Sequence, residues 1–355
     1  MATPSLPART ILIVKVAAVG DAVMALPMLS ALRAMHPDAH LTWLCGKSIR
    51  PLLDAIPGID AVREIDDSRL FSRNRAQRVA EVVRTWRVLK GKTFDLVLLA
   101  HRDRRYRLLT LPLRYRELRK LGAGRRAGPL CGRSHADEYV RMVTGLDDWH
   151  AQRFAPPQPT IVESAASGEL IRFAAGRPVV ALAPGGARNA ARTSPLKRWP
   201  LDRYVRLAER LAHRGFGVVV VGDPTEAWVS DAFGQTAALD LVGRTTIPEL
   251  LGVLARCAAT VAHDSGPLHL ATLTGCPVVA LFGPTHPDAF AARDRPVHVL
   301  WPGQQLPCAP CYDGREFAAC DNNLCMQMIE IDDVMHRLDG FMQARLAPDA
   351  RRPRS

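Results

Sequence analysis

HDSGPLHLATLTGCPVVALFGPT, residues His263 to Thr285, is the stretch whose reading decides the fold. It follows the small apolar run Ala258 to Ala262, which suits a strand. Asp264 and Ser265 suit an N-cap and Pro267 the first helical turn, so a helix is predicted to start near Gly266. Its N–H groups and the positive end of its dipole would form an anion site, and Gly266 would let a phosphate approach the backbone. Pro277 to Phe282 reads as a buried parallel strand. Gly283-Pro284-Thr285 ends it at the carboxyl edge, where open α/β sheets bind ligands. By itself, strand, turn and helix is also the grammar of any βαβ unit.

The rest of the chain repeats that grammar. Ile11 to Val16 is a buried-type strand in spite of Lys15, and its loop delivers Asp21 just before a helix predicted over about Ala22 to Met35. Asp21 there can be an N-cap or a reactive carboxylate. Strands over His40 to Cys45 and Phe94 to Ala100, with a short helix over Pro51 to Ile56, make the first half doubly wound. Residues Ala155 to Gly176 lose periodicity and gain proline, which puts a boundary there. The second half restarts with a strand over Pro178 to Ala183, a long loop over Pro184 to Pro200, a helix over Leu201 to His213 and a strand over Gly217 to Val221. The helix Ile247 to Arg256 then leads into the opening stretch. The expected organisation is an α/β chain of two Rossmann-like units, 1–165 and 177–335, with 336–355 a helix end and basic tail.

With 355 residues and 48% hydrophobic composition the chain has room for two globular domains, and a formal charge of +12 calls for an anionic partner. The apolar stretch Ile11 to Leu32 is broken by Lys15 and Asp21, unlike a signal peptide or membrane span, so a cytoplasmic protein at most peripheral to a membrane is expected. The basic run Arg102 to Arg126, with Arg104, Arg105 and Arg107 at its start, is either a solvated face or the footprint of the anionic partner. Charge alone suggests nucleic acid, but no zinc-finger spacing or aromatic-rich RNA motif accompanies it, so no nucleic acid is expected. The eight cysteines of such a chain are thiols or metal ligands. Cys308, Cys311, Cys320 and Cys325, spaced C-x2-C-x8-C-x4-C, are either a tetrahedral structural site, most naturally for zinc, or scattered thiols. Cys45, Cys131, Cys257 and Cys276 read as small buried residues.

Taken together, ILIVKVAAVGDAVMALPMLSALRAMHPDAHLTWL, ALAPGGA with SPLKRWP, LVGRTTIPELLGVLARC and the opening stretch resemble glycosyltransferase family 9, the heptosyltransferases of lipopolysaccharide core synthesis. The motifs span most of the chain in family order, while Asp66 to His150 has few landmarks. The resemblance implies two Rossmann-like domains of the GT-B type with the active site in a cleft. It also implies inverting transfer of heptose from ADP-heptose to an inner-core sugar, an anionic acceptor that would bring the enzyme to the cytoplasmic face of the inner membrane. By motif, Asp21 would be the catalytic carboxylate, Lys197 the donor-contacting lysine, and Asp264, Ser265, Gly266 and His269 the donor-binding turn, with Thr285 at its edge. Glu226 matches a glutamate suited to ribose hydroxyls, or is a surface residue.

The chemistry needs a base at the acceptor hydroxyl and positive or N–H groups where charge grows on the leaving diphosphate. Asp21 can be the first; Lys197 and the helix at Gly266 can be the second, with no cofactor required at the pyrophosphate. Asp264 lies close to that phosphate position and more naturally caps the helix or accepts from sugar hydroxyls. The alternative enzyme is a nucleotide-sugar epimerase of similar fold or a related glycosyltransferase with another acceptor.

Overall fold

The computed structural model describes residues 8–122, 133–146, 149–189, 192–313 and 316–346. Arg125, Arg126 and Cys131 lie outside them. The chain divides into two compact units, with the main break between Thr160 and Ile161.

In the first unit, β1 (Thr10–Val14), β2 (His40–Gly46), β3 (Ala61–Ile65), β4 (Thr93–Leu99) and β5 (Arg114–Lys120) form a parallel sheet in the order β3-β2-β1-β4-β5. Four of the five β1 residues are buried, as a central strand covered on both faces requires. Leu12, Val14, Val97, Leu99 and Leu109 share one core cluster. The order reverses between β1 and β4, so the loops after these two strands flank the crevice where such sheets bind ligands. The helix after β1 spans Val19–Met35, starting three residues earlier than predicted, with Ala18 at its N-cap. Asp21 therefore sits in the first turn and makes no cap.

The second unit opens its sheet with β6 (Val179–Ala183); next along the chain comes a small antiparallel hairpin, β7 (Arg188–Asn189) and β8 (Arg192–Thr193), which is grouped with the first unit. Then come β9 (Gly217–Val220), β10 (Leu239–Asp240), β11 (Ala259–His263), β12 (Val278–Leu281) and β13 (Val297–Leu300). The parallel sheet runs β10-β9-β6-β11-β12-β13, a Rossmann order with its reversal between β6 and β11. The amphipathic helix Leu201–His213 buries Tyr204, Leu207, Ala208 and Leu211 against it. Trp199 meets Tyr204 edge-on at 4.9 Å and donates its indole N–H to the Ile329 carbonyl at 2.9 Å.

Two expected boundaries shift. The supposed linker holds a regular helix, Ala165–Ala174, started by a Ser164/Ser167 capping box. Ile331–Leu346 is one continuous helix whose Val334, Leu338 and Phe341 lie in the second unit's core, so a domain limit at residue 336 would cut it. No helix of the described residues is long and apolar enough to cross a membrane.

Candidate functional site

Both units present polar side chains at the strand ends flanking their sheet reversal. In the first, Lys15 directly follows β1 and is only 3% exposed, yet it carries a charge. Its Nζ lies 3.0 Å from Asp21 Oδ2 and 5.4 Å from the centroid of the Tyr139 ring. Tyr139 is itself buried in the helix His135–Thr144. Burial works against the Lys15 charge, but Asp21 and Tyr139 together outweigh it and hold the ammonium above its usual value. For Asp21 burial acts upward, but Lys15 together with His135 and His101 outweighs it and the carboxyl sits at about 2. Its side chain is still about a third exposed, with a relative area of 37%, so a substrate hydroxyl can reach it.

Beside this pair, His101 follows β4, and its Nε2 accepts the Val16 N–H at 2.8 Å. Burial, followed by the Lys15 charge, keeps its imidazole neutral, and the ring stacks on Tyr106 at 3.6 Å. With Nε2 occupied as an acceptor, His101 is a spacer in this arrangement and Asp21 the accessible base.

In the second unit, Asp264 follows β11 and is 4% exposed. Its Oδ2 lies 2.7 Å from Lys197 Nζ and accepts the Thr285 hydroxyl at 2.9 Å; its Oδ1 lies 3.7 Å from His269 Nε2. Burial would raise its pKa, but Lys197 and His269 together outweigh it and hold the carboxyl far below its usual range. The helix Gly266–Leu273 starts immediately after. Ser265 holds the N-cap position, but its hydroxyl donates to the His263 carbonyl at 3.1 Å, and neither it nor Asp264 caps the helix as expected. The first-turn N–H groups are thus not consumed by a capping side chain, and Lys197 stands at the Asp264 carboxylate just before that turn. An ammonium has three donors, so Lys197 can hold Asp264 and an incoming phosphate together.

Glu226 is buried, not a surface residue. Its carboxylate accepts the N–H of Gly186, after β6, and of Asp223, after β9, tying two strand-end loops together. Gly185 has no room for a Cβ because Glu226 oxygens occupy it, and Gly186 adopts φ +78° with Ser265 2.8 Å from a Cβ position. Glu226→Ala would leave two N–H groups without their acceptor, so a loss of about 1–3 kcal/mol is expected. Urea unfolding of the variant measures it; wild-type stability would show that the carboxylate does not hold these loops.

The family described as glycosyltransferase family 9 (heptosyltransferase) matches residues 147–318. The chain is a glycosyltransferase, similar to family 9 over that stretch. A relative described as lipopolysaccharide heptosyltransferase 2 of Salmonella typhimurium is 26% identical, over 78% of this chain and 84% of that one. Lipooligosaccharide heptosyltransferase 2 of Haemophilus influenzae is 34% identical over a shorter segment, 32% of this chain and about a third (33%) of the relative. Among solved structures, the Escherichia coli ADP-heptose LPS heptosyltransferase II superposes with a TM-score of 0.69 at 20% identity, covering 95% of this chain and all (100%) of that one. This likeness shows a shared fold of two Rossmann-like domains, the GT-B type.

As a glycosyltransferase of this kind the chain has its Asp21 in one polar cluster and Lys197, Asp264, His269 and Thr285 in another. Among the described residues no group of three or more His, Cys, Asp or Glu side chains is arranged to hold a metal. Cys325 is buried, and its Sγ lies 2.9 Å from the Cβ position of Gly283, whereas Cys308 and Cys320 are exposed. Burial pushes the Cys325 thiol up, and Cys311, Cys320 and Cys308 lie near enough to add to that push. Arg105 is 81% exposed and paired with Asp103, Arg107 is exposed, and the Arg104 side chain lies outside what is described. Lys15, His101 and Tyr139 are the residues that the motifs did not single out. A lysine inside an apolar strand run was the available signal, since a buried ammonium requires a partner.

Proposed function

We propose that this enzyme transfers heptose from ADP-heptose to an inner-core sugar of lipopolysaccharide with inversion at the anomeric carbon. Asp21 removes the proton from the acceptor hydroxyl as its oxygen attacks that carbon. The bond to the diphosphate breaks on the opposite side, and ADP leaves with the electron pair. Lys197 and the helix N-terminus at Gly266 stabilise the growing phosphate charge. Asp264 and Thr285 orient Lys197, and Ser265, His269 and Glu226 shape the donor turn.

One observation carries the reading: a buried Lys197–Asp264–Thr285 cluster directly before a helix whose first-turn N–H groups no side chain caps. The relatives described as heptosyltransferases, one of them with ADP-heptose in its description, support the donor. The anionic core acceptor, built on lipid A, would bring the enzyme to the cytoplasmic face of the inner membrane. Arg104, Arg105 and Arg107 serve this anionic side. Incubating the protein with ADP-heptose, or with UDP- and GDP-sugars, and truncated core acceptors tests the reading by product mass. Transfer from ADP-heptose alone is expected; transfer only from another nucleotide sugar, or release of free sugar without acceptor, overturns it.

Asp21 at about 2 is a weak base. It suffices where the attacking hydroxyl becomes acidic as its bond to carbon forms. The ion pair's contribution to stability is present above the ordinary carboxyl value of 3.8 and is lost as pH falls toward about 2. In Lys15→Met, burial acts on Asp21 unopposed by its nearest charge. The acid limb of kcat/KM is therefore expected to move upward in pH, measured as a pH profile against wild type. A limb that stays in place would mean that Lys15 does not set the ionisation of Asp21.

A further inference from the structure

The chain between Arg102 and Lys120 holds eight basic residues against two acidic ones. Its path through the first unit sorts them. After β4 the segment Arg104–Thr110 is a 3-10 helix, in which residues three apart stand in one row. One row faces inward: Tyr106 stacks on His101, and Leu109 is 1% exposed in the core. The row of Arg105, Leu108 and Leu111 faces solvent, with the leucines 47% and 56% exposed. Arg107 and Arg114 are exposed beside it. The backbone is held from behind, because the Trp86 indole N–H of the helix Arg75–Leu89 donates to the Leu108 carbonyl at 2.7 Å.

Two leucines held out to water on a pinned segment and flanked by guanidinium groups match an interface that is apolar beneath and negative at its surface. We infer that the Arg105–Leu108–Leu111 row docks this enzyme on an anionic lipid bilayer, the leucines entering the acyl boundary and the arginines meeting the headgroups. The choice of bilayer rests on the proposed lipid-linked acceptor. The inward row of the same segment packs against His101, beside Asp21, so docking would hold the Asp21 strand end near the bilayer.

The test is co-sedimentation of the full chain with phosphatidylglycerol–phosphatidylcholine vesicles and with phosphatidylcholine vesicles alone, at low and high salt. Wild type is expected to prefer the anionic vesicles and to weaken with salt. Leu108→Ser/Leu111→Ser is expected to bind them at least about tenfold more weakly, while transfer to a deacylated, water-soluble acceptor is retained. The single Leu→Ser variants carry the test if the double variant loses its far-ultraviolet circular dichroism. Wild-type vesicle binding by the leucine variants overturns the inference. So does a change from dimer to monomer on their substitution, which would make the occupant a second copy. A raised KM for the soluble acceptor in Arg105→Gln/Arg107→Gln, with vesicle binding intact in every variant, would give the row to the acceptor instead. If wild type binds vesicles but transfers no heptose, the proposed function falls and the docking surface stands.

Discussion

Asp21→Asn is expected to lower kcat by about 10²–10⁴-fold, the range for loss of a general base, with the affinity for ADP-heptose little changed. The amide cannot take a proton at neutral pH, whereas its oxygen can still accept from Lys15. Helix capping does not complicate the result, since Ala18 and not Asp21 holds the N-cap position. Stability does enter, because Lys15 is 3% exposed and would lose its counter-charge. A fully buried pair costs about 3–5 kcal/mol to break. Asp21 is a third exposed, so solvent screening brings the expected loss to about 1–3 kcal/mol. The Tyr139 ring, 5.4 Å from the ammonium, retains part of the stabilisation. Steady-state kinetics should therefore be run well below the variant's own melting temperature, with donor binding followed by calorimetry. Near-wild-type turnover in a folded, donor-binding variant would remove Asp21 from the chemistry and leave the Lys15 pair a structural one.

Lys197→Ala is expected to weaken donor binding and to lower kcat by a further 10²–10³, on the order of losing one donor at a developing oxyanion. The effect on kcat follows because phosphate charge grows toward the transition state. The same substitution strips the nearest charge from Asp264, which is 4% exposed and also accepts the Thr285 hydroxyl and lies 3.7 Å from His269. About 3–5 kcal/mol of stability is at stake in breaking such a pair. In the wild type the carboxyl's depressed pKa gives stability above 3.8 that falls away with acid. Without Lys197 the burial effect is left to push the group upward. The double variant Lys197→Met/Asp264→Asn separates the two roles: removing both charges should restore most of the stability without restoring turnover. If the double variant recovers turnover as well, Lys197 acts only by neutralising Asp264 and the diphosphate is stabilised elsewhere.

The strands and their parallel character were legible because their apolar runs are continuous, as in Ile11 to Val14 and Val278 to Leu281, and buried parallel strands need no alternation. The helix at Gly266 was legible from Pro267 and the turn before it. What failed was local chemistry with several outlets. Asp264 and Ser265 suit an N-cap, but a lysine 67 residues earlier reaches the carboxylate and the hydroxyl turns to its own loop. The cysteine spacing offered a metal site or scattered thiols, but spacing does not fix burial, and Cys325 packs beneath Gly283 while Cys308 and Cys320 are exposed.

The sequence by itself determined the two Rossmann-like units, the places of Asp21 and Gly266 at strand ends and the excess of positive charge, because these follow from periodicity, turn residues and composition along the chain. Tertiary structure alone decided that Lys15 pairs with Asp21, that Lys197 pairs with Asp264, and that Glu226 ties together the loops after β6 and β9. Each pairing depends on which strands lie side by side at the sheet reversal and on how far water is excluded there. Sheet order and burial are properties of the packed chain that local sequence does not carry.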